Sequence, residues 1–534
     1  MVGTRAIAAA LALMPLLASG GALAQNGYSF SDATLSTMRY GAGSVSPEMS
    51  CARVTELSTH EITIVSTVMI GPADDVVEHC RVSGLIAPEI RFEVNLPTNW
   101  NRRFYMNGNG GFAGETPESG PRPMLRANAL KLGFTTATTN TGHDAATEPL
   151  ASFAANYQKR VDYAFRAVHL TAGQAKRIAN AYYGQAPTYS YWDGCSTGGR
   201  QGLISAQRFP KDFDGIVAGA PVLNFVDTVV QSLWNGLVLS QTPVPSAKMK
   251  LIADAAYARC DAKDGRKDGV IDDPRRCDFD PARDVKQCAA GQDGEDCLTP
   301  AQSTAIKKIY EGLKVNGKPV LFGYPIGAEA TGVVPTAGGS GTSGWERWLI
   351  PAAGEKSLQH AFGDSFVRYL ASGRPDPSMD TAKFDFEKDM AKLADARALL
   401  NATDPNLAAF RARGGKLLMY FGWADPALPP LMGIDYYDKA VAANGPKTGD
   451  FFRLFMVPGM YHCRGGVGAD RFDALTAVIN WVENGTAPAS IIAAQMDQGK
   501  LARTRLLCPY PQVARYVGPG KDADSSSFAC KAPD

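Results

Sequence analysis

Short apolar runs alternate with helical patterns along much of the chain, and this alternation limits the fold more than any other feature. The runs that read as buried strands are Arg91–Leu96, Phe104–Met106, Phe134–Thr139, Tyr189–Trp192, Gly215–Ala218, Leu417–Phe421 and Arg453–Val457. Helical patterns follow at Tyr163–Tyr183, at Gly199–Phe209 and after Asp470, which is expected to cap its helix. Strands that alternate with helices predict a mostly parallel sheet of the α/β class.

The pattern changes in the middle of the chain. From about Val226 to Leu400 few runs resemble strands, and Gly and Pro are frequent. The chain has 534 residues, which is more than one compact core usually contains. We therefore predict a core in two parts, residues 25–225 and 401–534, and a large inserted lid domain at 226–400.

The first residues resemble a bacterial signal peptide. Arg5 provides a positive start, the run from Ala6 to Leu17 is apolar, and Ala22-Leu23-Ala24 fits an A-x-A cleavage site. The alternative is a short membrane anchor, but the run is shorter than the ~20 residues that span a bilayer. We expect residues 1–24 to be removed and the mature chain to be secreted or periplasmic.

Export changes how the cysteines are interpreted. The chain has 10 cysteines, and an even number in an exported protein favours disulfides, although these residues alone do not choose the pairs. No C-x-x-C pair supports a zinc site. The formal net charge is +1, from 54 basic and 53 acidic residues, which gives no reason to expect a nucleic-acid or membrane partner.

A candidate nucleophile lies in Gly194-Cys195-Ser196-Thr197-Gly198, a match to G-x-S-x-G. With 54 glycines in the chain, a match by chance is common, so its context decides. A strand-like run precedes the motif and a helical pattern follows it, as in a nucleophile elbow. Ser196 is then the nucleophile and the Thr197 N–H a donor to an oxyanion. The alternative is an ordinary glycine-rich turn between a strand and a helix.

A serine hydroxyl needs a base, and the chain has only 6 histidines. His462 follows a predicted strand and a Pro-Gly turn, and Asp425 follows another strand in the same way, so both belong at the carboxyl edge of the sheet. The order Ser196, Asp425, His462 is that of α/β-hydrolases. His143 and His169 are expected to be structural.

Two further features surround the predicted triad. Cys195 precedes the nucleophile and Cys463 follows the base, so a bridge between them would join the two loops; the alternative is two unrelated buried cysteines. The glycine-rich stretch at 107–112 follows a strand and could supply a second oxyanion donor from Gly110 or Gly111. A flexible hairpin tip is the alternative there.

An acidic stretch at 261–272, within the predicted lid, resembles a calcium-binding loop. Its carboxylates are closely spaced and Gly269 suits a turn, which is typical of sites for hard cations. The stretch is not a full EF-hand, because Arg275 stands where Glu is expected. A solvated charged loop is the alternative.

These motifs together resemble the tannase/feruloyl esterase family of α/β-hydrolases, which includes bacterial hydrolases of mono(2-hydroxyethyl) terephthalate. The segments that carry the resemblance are GNGGFAG at 108–114, GCSTGGRQG at 194–202, DFDGIVAGAP at 212–221, GWADP at 422–426 and PGMYHC at 458–463. The Cys-Ser and His-Cys pairs are its most specific marks. The resemblance implies a secreted serine ester hydrolase with a lid between the nucleophile and the acid.

The resemblance also implies covalent and metal contacts. The implied disulfides are Cys51–Cys80, Cys195–Cys463, Cys260–Cys277, Cys288–Cys297 and Cys508–Cys530. The implied cofactor is a structural calcium ion in the lid, held by the carboxylates of Asp261, Asp264 and Asp268 and by the carbonyls of Arg266 and Val270.

For the substrate, the resemblance implies a small ester of an aromatic acid, with ferulate first, terephthalate monoester second and gallate third. Leu428 is at a position that tends to face the acyl pocket, where a terephthalate-ester hydrolase is expected to have an aromatic residue. The alternative from another class is a non-catalytic, calcium-stabilised binding protein on a hydrolase scaffold. The intact Ser, His and Asp argue against it.

Aromatic residues crowd one segment of the predicted lid, namely Trp345, Trp348, Phe362 and Phe366. They could hold a planar acyl ring between their faces, or they could only fill the core of the lid. Arg347 and Arg368 are the nearest candidates to pair with the free carboxylate of a terephthalate monoester.

Overall fold

The fold is described from a computed structural model of residues 29–533, apart from positions 34, 35, 37, 39, 41, 42, 74, 75, 330–332, 337, 338, 343 and 352–354. The predicted signal peptide, residues 1–24, lies outside the described residues. Among the described helices, none has the length and hydropathy needed to cross a bilayer.

Alternating apolar segments form the strands. They are β1 Ile62–Ile70, β2 His79–Ile86, β3 Ile90–Pro97, β4 Arg103–Asn107, β5 Thr135–Thr139, β6 Tyr189–Cys195, β7 Gly215–Gly219, β8 Lys314–Val315, β9 Lys318–Pro319, β10 Val333–Thr336, β11 Gly339–Thr342, β12 Lys416–Gly422, β13 Phe452–Val457, β14 Ile491–Asp497, β15 Lys500–Leu507, β16 Val513–Tyr516 and β17 Phe528–Lys531.

Helices connect most of these strands. They are α1 Arg122–Lys131, α2 Tyr157–Val161, α3 Ala167–Tyr183, α4 Thr197–Arg208, α5 Phe225–Gln241, α6 Met249–Cys260, α7 Pro281–Asp284, α8 Pro300–Glu311, α9 Trp345–Trp348, α10 Leu358–Tyr369, α11 Ala394–Leu400, α12 Ala408–Ala412, α13 Leu431–Asn444 and α14 Ala474–Asn484. A π-helical turn, Asp162–Arg166, joins α2 to α3.

In the described residues the main sheet has nine strands in the order β1-β2-β3-β5-β4-β6-β7-β12-β13. The strands from β5 to β13 in this order run parallel, and β1, β2 and β3 add an antiparallel edge. This arrangement confirms the predicted α/β class, and the predicted strand runs fall on β3–β7, β12 and β13. Parallel order places the carboxyl ends of β4, β6, β7, β12 and β13 along one edge.

Helices cover both faces of the sheet because neighbouring strand residues point to opposite sides. On β6, Trp192 packs in the cluster that includes α3 and α4, whereas Tyr191 packs in the cluster that includes α1 and α14. Helix α14 begins at Ala474 and is capped by Asp473, whose Oδ1 accepts the Thr476 N–H at 2.9 Å. The prediction that Asp470 is this cap is wrong, since Asp473 is the residue next to the first turn.

The segment at 226–400, called the insertion below, lies between β7 and β12. It has its own apolar cluster, which includes Met249, Ile252, Ile306 and Trp345. Helices α5 and α10 instead pack on the main core through residues such as Phe366. The division into domains at 225 and 400 stays a prediction.

An N-terminal arm, the described part of residues 29–40, packs against the α1 and α14 face of the sheet. The Phe30 ring lies 5.1 Å from the rings of both Tyr105 and Phe134, in edge-to-face contact. The Asp32 N–H donates to Asp473 Oδ2 at 2.9 Å. The arm therefore reaches the carboxyl edge of the sheet, where the candidate site lies.

Candidate active site

Ser196 lies in a sharp turn between β6 and α4. Its backbone has φ 62° and ψ −123°, a conformation that is costly for a residue with a side chain and that marks functional turns. The Ser196 N–H donates to the Gly219 carbonyl at 2.9 Å, and the Ser196 carbonyl accepts the Arg200 N–H at 3.0 Å. The turn thus holds the hydroxyl above the sheet edge, as a nucleophile elbow does.

Three glycines let the loop after β4, residues 107–112, approach this elbow. A Cβ at Gly108 would lie 2.6 Å from Gly198 Cα, and a Cβ at Gly194 would lie 2.6 Å from the Gly198 carbonyl carbon. Real Cβ atoms do not come this close to backbone, so a side chain at Gly108 would push the loop and the elbow apart, and one at Gly194 would distort the elbow itself. We call this loop the oxyanion loop.

The oxyanion loop is fastened to the first residue of α4. Thr197 Oγ1 donates to the Gly111 carbonyl at 2.6 Å, and Tyr163 Oη donates to the same oxygen at 2.9 Å. The Gly110 N–H donates to Glu115 Oε2 at 3.0 Å. Of the two glycines predicted as donors, Gly111 is therefore the better candidate, together with Thr197.

Side chains that sequence reasoning missed support this loop. Buried Gln201 on α4 accepts the Asn109 N–H through Oε1 at 3.0 Å. Glu115 is ion-paired with the buried side chain of Arg122, whose guanidinium also donates to the Gly108 carbonyl at 3.2 Å. The only sequence signal for them was their position near the glycine motifs.

His462 and Asp425 meet as the triad order predicts. His462 Nδ1 lies 2.9 Å from Asp425 Oδ2, and the carboxylate is completely buried. A carboxylate oxygen accepts, so Nδ1 carries the hydrogen and Nε2 is left as the basic nitrogen. Asp425 Oδ1 accepts the N–H groups of Ala427 and Leu428 at 2.8 and 2.9 Å.

A disulfide joins the nucleophile loop to the base loop. The Cys195–Cys463 bond connects residues 268 apart in sequence, with Cα atoms 6.0 Å apart. In the described residues all cysteines are paired, and the five disulfides are the pairs that the family resemblance implies. Ser196 and His462 are thus each adjacent to the same covalent link.

One cavity of about 750 Å³ brings the predicted groups together. It is lined by Ser196, Thr197, Gly110, Gly111 and His462, by the core residues Val222, Phe225 and Leu428, and by Val229, Trp348 and Phe362 of the insertion. The Trp348 ring meets the His462 ring edge-on at 5.2 Å, and Phe362 stacks on Phe112 at 5.0 Å. Ser196 and His462 therefore face an apolar space with aromatic walls.

Comparison with known protein families shows to which family this chain belongs. The family model described as Tannase and feruloyl esterase matches residues 74–531. The chain belongs to this family. It is therefore a carboxylic ester hydrolase, as the resemblance predicts.

Individual relatives agree with the family. The chain is 36% identical over 520 residues to the mono(2-hydroxyethyl) terephthalate hydrolase of Piscinibacter sakaiensis, and the match covers 85% of each chain. It is 31% identical over 483 residues to feruloyl esterase B of Aspergillus niger, covering 85% of this chain and 87% of that one. The crystal structure of feruloyl esterase B from Aspergillus oryzae superposes with a TM-score of 0.77 at 27% identity, covering 90% of this chain and 100% of that one.

Not every residue predicted for the substrate pocket of this esterase lines the cavity. Phe362 and Leu428 do, but Trp345 is fully buried beside Tyr310 in the insertion, and Phe366 is fully buried against Phe225. For Trp345 and Phe366 the structure corrects the expectation. Sequence crowding could not separate them from Trp348, because the cavity side of α9 and α10 depends on how these helices pack.

The two candidate arginines also differ. Arg347 is exposed and lines the cavity, and its guanidinium lies 5.8 Å from the centre of the Trp348 ring. Arg368 is ion-paired with Asp364 at 3.1 Å and donates to the Pro377 carbonyl, away from the lining residues. Of these two arginines, only Arg347 lines the cavity where a charged substrate would bind.

His143 and His169 have the structural surroundings that the sequence predicts. His143 is buried and stacks on Phe153 at 3.9 Å, and burial lowers the pKa of His143 to about 4. His169 Nδ1 lies 2.8 Å from Asp212 Oδ2, and its ring stacks on Phe209.

An acidic group lies beneath the elbow, beside Ser29, the first described residue of the N-terminal arm. The Ser29 hydroxyl hydrogen-bonds Asp193 Oδ2, and the Asp193 carbonyl accepts the Gly108 N–H at 2.8 Å. Burial raises the pKa of Asp193 to about 6, and the charge of Asp473 adds to this rise, whereas the Ser29 hydroxyl and Arg464 lower it. Burial and Asp473 likewise raise the pKa of Asp32 to about 7.

The acidic stretch at 261–272 forms a folded loop. Asp261 Oδ1 accepts the Gly269 N–H at 3.1 Å, and Asp264 Oδ1 accepts the Arg266 N–H at 2.7 Å. The Asp268 carboxylate is ion-paired with Arg505. Asp272, which the predicted ligand set omits, has a buried Oδ1 without a hydrogen-bond partner.

The donors of this loop suit a hard cation, since they are carboxylates and one buried oxygen is unsatisfied. In the part of the chain that the structure describes, no group of three or more His, Cys, Asp or Glu side chains converges closely enough to hold a metal. Calcium binding by this loop therefore stays a prediction.

Proposed function

We propose that this esterase hydrolyses esters of aromatic carboxylic acids, hydroxycinnamates such as ferulate first, through an acyl-enzyme on Ser196. One observation carries the proposal. Ser196, His462 and the aromatic residues Trp348 and Phe362 line one cavity, and His462 is held by Asp425 at 2.9 Å. The relatives whose names include feruloyl esterase add support from comparison.

In this mechanism His462 Nε2 takes the proton of the Ser196 hydroxyl as its oxygen attacks the ester carbonyl. Asp425 accepts from Nδ1–H and stabilises the imidazolium that forms. His462 then gives the proton to the leaving alcohol, which departs and leaves the acyl group on Ser196. A water molecule, activated by the same nitrogen, releases the acid.

Charge that develops on the ester oxygen needs donors that are already in place. The N–H groups of Thr197 and Gly111 are the proposed pair. The bond from Thr197 Oγ1 to the Gly111 carbonyl, 2.6 Å long, couples the positions of the two residues. The preformed site therefore requires little reorganisation during the reaction.

A terephthalate monoester is the second candidate, and two observations favour it over gallate. The relative from Piscinibacter sakaiensis is named for such a substrate, and Arg347 lines the cavity, where it could pair with a free carboxylate. Against it, Leu428 provides no aromatic ring on the acyl side.

The test is kcat/KM for methyl ferulate, methyl gallate, mono(2-hydroxyethyl) terephthalate and a short aliphatic ester. We expect methyl ferulate to be best. Phe362→Leu should lower kcat/KM for the aromatic esters more than for the aliphatic one, whereas Phe366→Leu, a matched change outside the cavity, should not alter the ratio. A preference for the aliphatic ester would overturn the aromatic assignment, and a terephthalate preference that collapses in Arg347→Gln would promote the second candidate. No hydrolysis of any ester would favour the non-catalytic binding protein.

We propose further that calcium stabilises the insertion. Asp261, Asp264 and Asp268 would hold it with the carbonyls of Arg266 and Val270, and it would fold the loop without taking part in the chemistry. The closely spaced carboxylates and the unsatisfied Asp272 oxygen support this assignment.

The chain is also proposed to be exported after removal of residues 1–24. Five disulfides suit an oxidising compartment. N-terminal sequencing of the mature protein from its natural host should give Gln25 first.

A further inference from the structure

The loop that carries the acid, residues 422–428, is held from two sides. On one side Asp425 Oδ1 accepts the N–H groups of Ala427 and Leu428 at 2.8 and 2.9 Å. These N–H groups belong to two consecutive peptide groups, whose carbonyl oxygens are those of Pro426 and Ala427. In a trans peptide the carbonyl points away from the N–H, so both carbonyls face away from Asp425.

The insertion binds both of these carbonyls. Gln359 Nε2, on α10, donates to the Pro426 carbonyl at 2.9 Å. Tyr324 Oη donates to the Ala427 carbonyl at 3.0 Å. Each peptide group therefore accepts a hydrogen bond from the insertion and donates one to the carboxylate. Hydrogen bonds arranged in series polarise and strengthen each other.

A chain of buried amides stands behind Gln359. Gln359 Oε1 accepts from Asn235 Nδ2 at 2.7 Å, and Asn235 Oδ1 accepts from Gln231 Nε2 at 3.0 Å. Gln231 Oε1 in turn accepts the Leu313 N–H at 3.3 Å. All three amide side chains are almost completely buried, so the chain is shielded from competing water.

The two ends of the chain fix the direction of every amide in it. The Leu313 N–H can only donate and the Pro426 carbonyl can only accept. Each amide oxygen must therefore face Leu313 and each NH₂ group must face Pro426. A carboxylate or an apolar side chain at any of the three positions would break the series.

Close helix packing keeps the chain short. Gln231 and Asn235 lie one turn apart on α5, on the same face. A Cβ at Gly236 would lie 2.4 Å from His360 Cβ, and a Cβ at Gly363 would lie 2.4 Å from the Leu233 nitrogen. Two glycines thus let α5 and α10 approach until the Asn235 and Gln359 amides meet.

We propose that Gln359 and Tyr324 are positioning residues for Asp425, and that Asn235 and Gln231 hold Gln359 in place. The insertion then completes the triad as well as covering the cavity. This inference rests on the proposed function, because it assumes that Asp425 orients His462. It implies that substitutions at residues of the insertion that do not line the cavity weaken the chemical step.

Asn235→Leu and Tyr324→Phe test this inference, because neither residue lines the cavity. A misplacement of ~1 Å can cost ~100-fold in rate, and we expect each variant to lose about tenfold in kcat with KM unchanged, since the other contact remains. The acid limb of the kcat/KM profile should move to lower pH, because a misplaced carboxylate stabilises the imidazolium less. The double variant should lose more than either single one, since the two contacts are separate.

The matched controls are Tyr257→Phe and Gln302→Met. Like Tyr324, Tyr257 is a tyrosine of the insertion, and its hydroxyl donates to a backbone carbonyl, that of Gly327, at 3.0 Å. Gln302 is a buried insertion amide that donates to the Pro243 carbonyl at 3.2 Å. Both controls should lower thermal stability about as much as the test variants but leave kcat and the acid limb unchanged, with rates normalised to titrated active sites.

Asp425→Asn separates this inference from the proposed triad. If Asp425→Asn loses most of its turnover while both test variants keep normal kcat and a normal acid limb, the positioning role is wrong and the triad stands. If Asp425→Asn keeps full turnover, the triad and the positioning role are both wrong. Should Asn235→Leu fail to fold, Tyr324→Phe, which removes a single oxygen, still decides.

Discussion

The base and the acid of the proposed triad are held in place in different ways. His462 stands next to a covalent bond, Cys195–Cys463, that ties its loop directly to the loop of Ser196. Asp425 has no such link, and hydrogen bonds from Gln359 and Tyr324 of the insertion reach its loop instead. The first connection lies within the core, and the second crosses from the insertion to the core.

The difference teaches which parts of the molecule can vary independently. The distance between nucleophile and base is limited by a covalent bond that does not involve the insertion. The orientation of the acid depends on buried polar contacts whose partners would all have to change together. Changes in the insertion should therefore affect the acid first and the Ser196–His462 pair last.

The largest effect is expected from Ser196→Ala, because this change removes the nucleophilic hydroxyl itself. Nearly all turnover should be lost while circular dichroism stays unchanged, because only binding and oxyanion contributions remain, worth ~10³–10⁴ over water. His462→Ala should fall about as far. Several per cent of wild-type kcat in Ser196→Ala would show that the mechanism is wrong.

The covalent connection is tested by the double variant Cys195→Ala/Cys463→Ala. We expect kcat to fall ~100-fold at temperatures where the variant is fully folded, since a shift of ~1 Å between nucleophile and base is enough for such a loss. Cys288→Ala/Cys297→Ala removes a disulfide that closes only a short segment of the insertion and should leave kcat unchanged. Normal kinetics in the first variant would contradict the role given to its bond.

Calcium removal tests the insertion alone. Excess chelator should lower Tm, because an ion present at 100 times its Kd stabilises the folded state by ~2.7 kcal/mol. The kcat of the protein that remains folded should change little, since the loop at 261–272 lies outside the cavity lining. An Asp261→Asn/Asp264→Asn variant should have a low Tm that no longer responds to chelator. An unchanged Tm together with no metal by elemental analysis would refute the calcium site.

The smallest effect is expected for the pH dependence of Tm, when Asp193, the buried acid beneath Ser196, is replaced. Because burial raises the pKa of Asp193 to about 6, the folded state binds this proton more tightly than the unfolded chain. The stability that this provides is present at low pH and is lost as pH rises from about 4 to about 6. Asp193→Asn should therefore flatten the fall of Tm over this range, while Asp254→Asn, at an exposed ion pair on α6, should not. If Asp193→Asn leaves the slope of Tm against pH unchanged, protonation of Asp193 is not the source of this pH dependence.

The sequence was most informative where local pattern decides structure. The buried parallel strands could be predicted because short, continuous apolar runs bounded by turns are typical of such strands. Ser196, Asp425 and His462 could be predicted because each of them follows one of these runs. The antiparallel strands β1 and β2 were missed. One face of β1 is exposed, with Val65 and Val68 pointing to solvent, so its run of mixed residues lacks a clear two-residue alternation.

Positions that depend on packing between distant segments were not predictable. Phe362 and Phe366 lie one turn apart on α10, yet only Phe362 lines the cavity, because α5 covers the other. The amides of Gln231, Asn235 and Gln359 carry no motif. Their function appears only when α5 and α10 are brought together, which no local pattern specifies.

The contact between the glycines at 108, 194 and 198 has a consequence for protein engineering. At Gly108 and Gly194 the space that a Cβ would need is already occupied by the Gly198 backbone, so a side chain introduced at either position could not be accommodated by repacking. Diversity intended to change the substrate therefore belongs on the opposite wall of the cavity, at Trp348, Phe362, Leu428 and Arg347, where side chains meet empty space. A new specificity could be selected there without changing the geometry of the oxyanion loop.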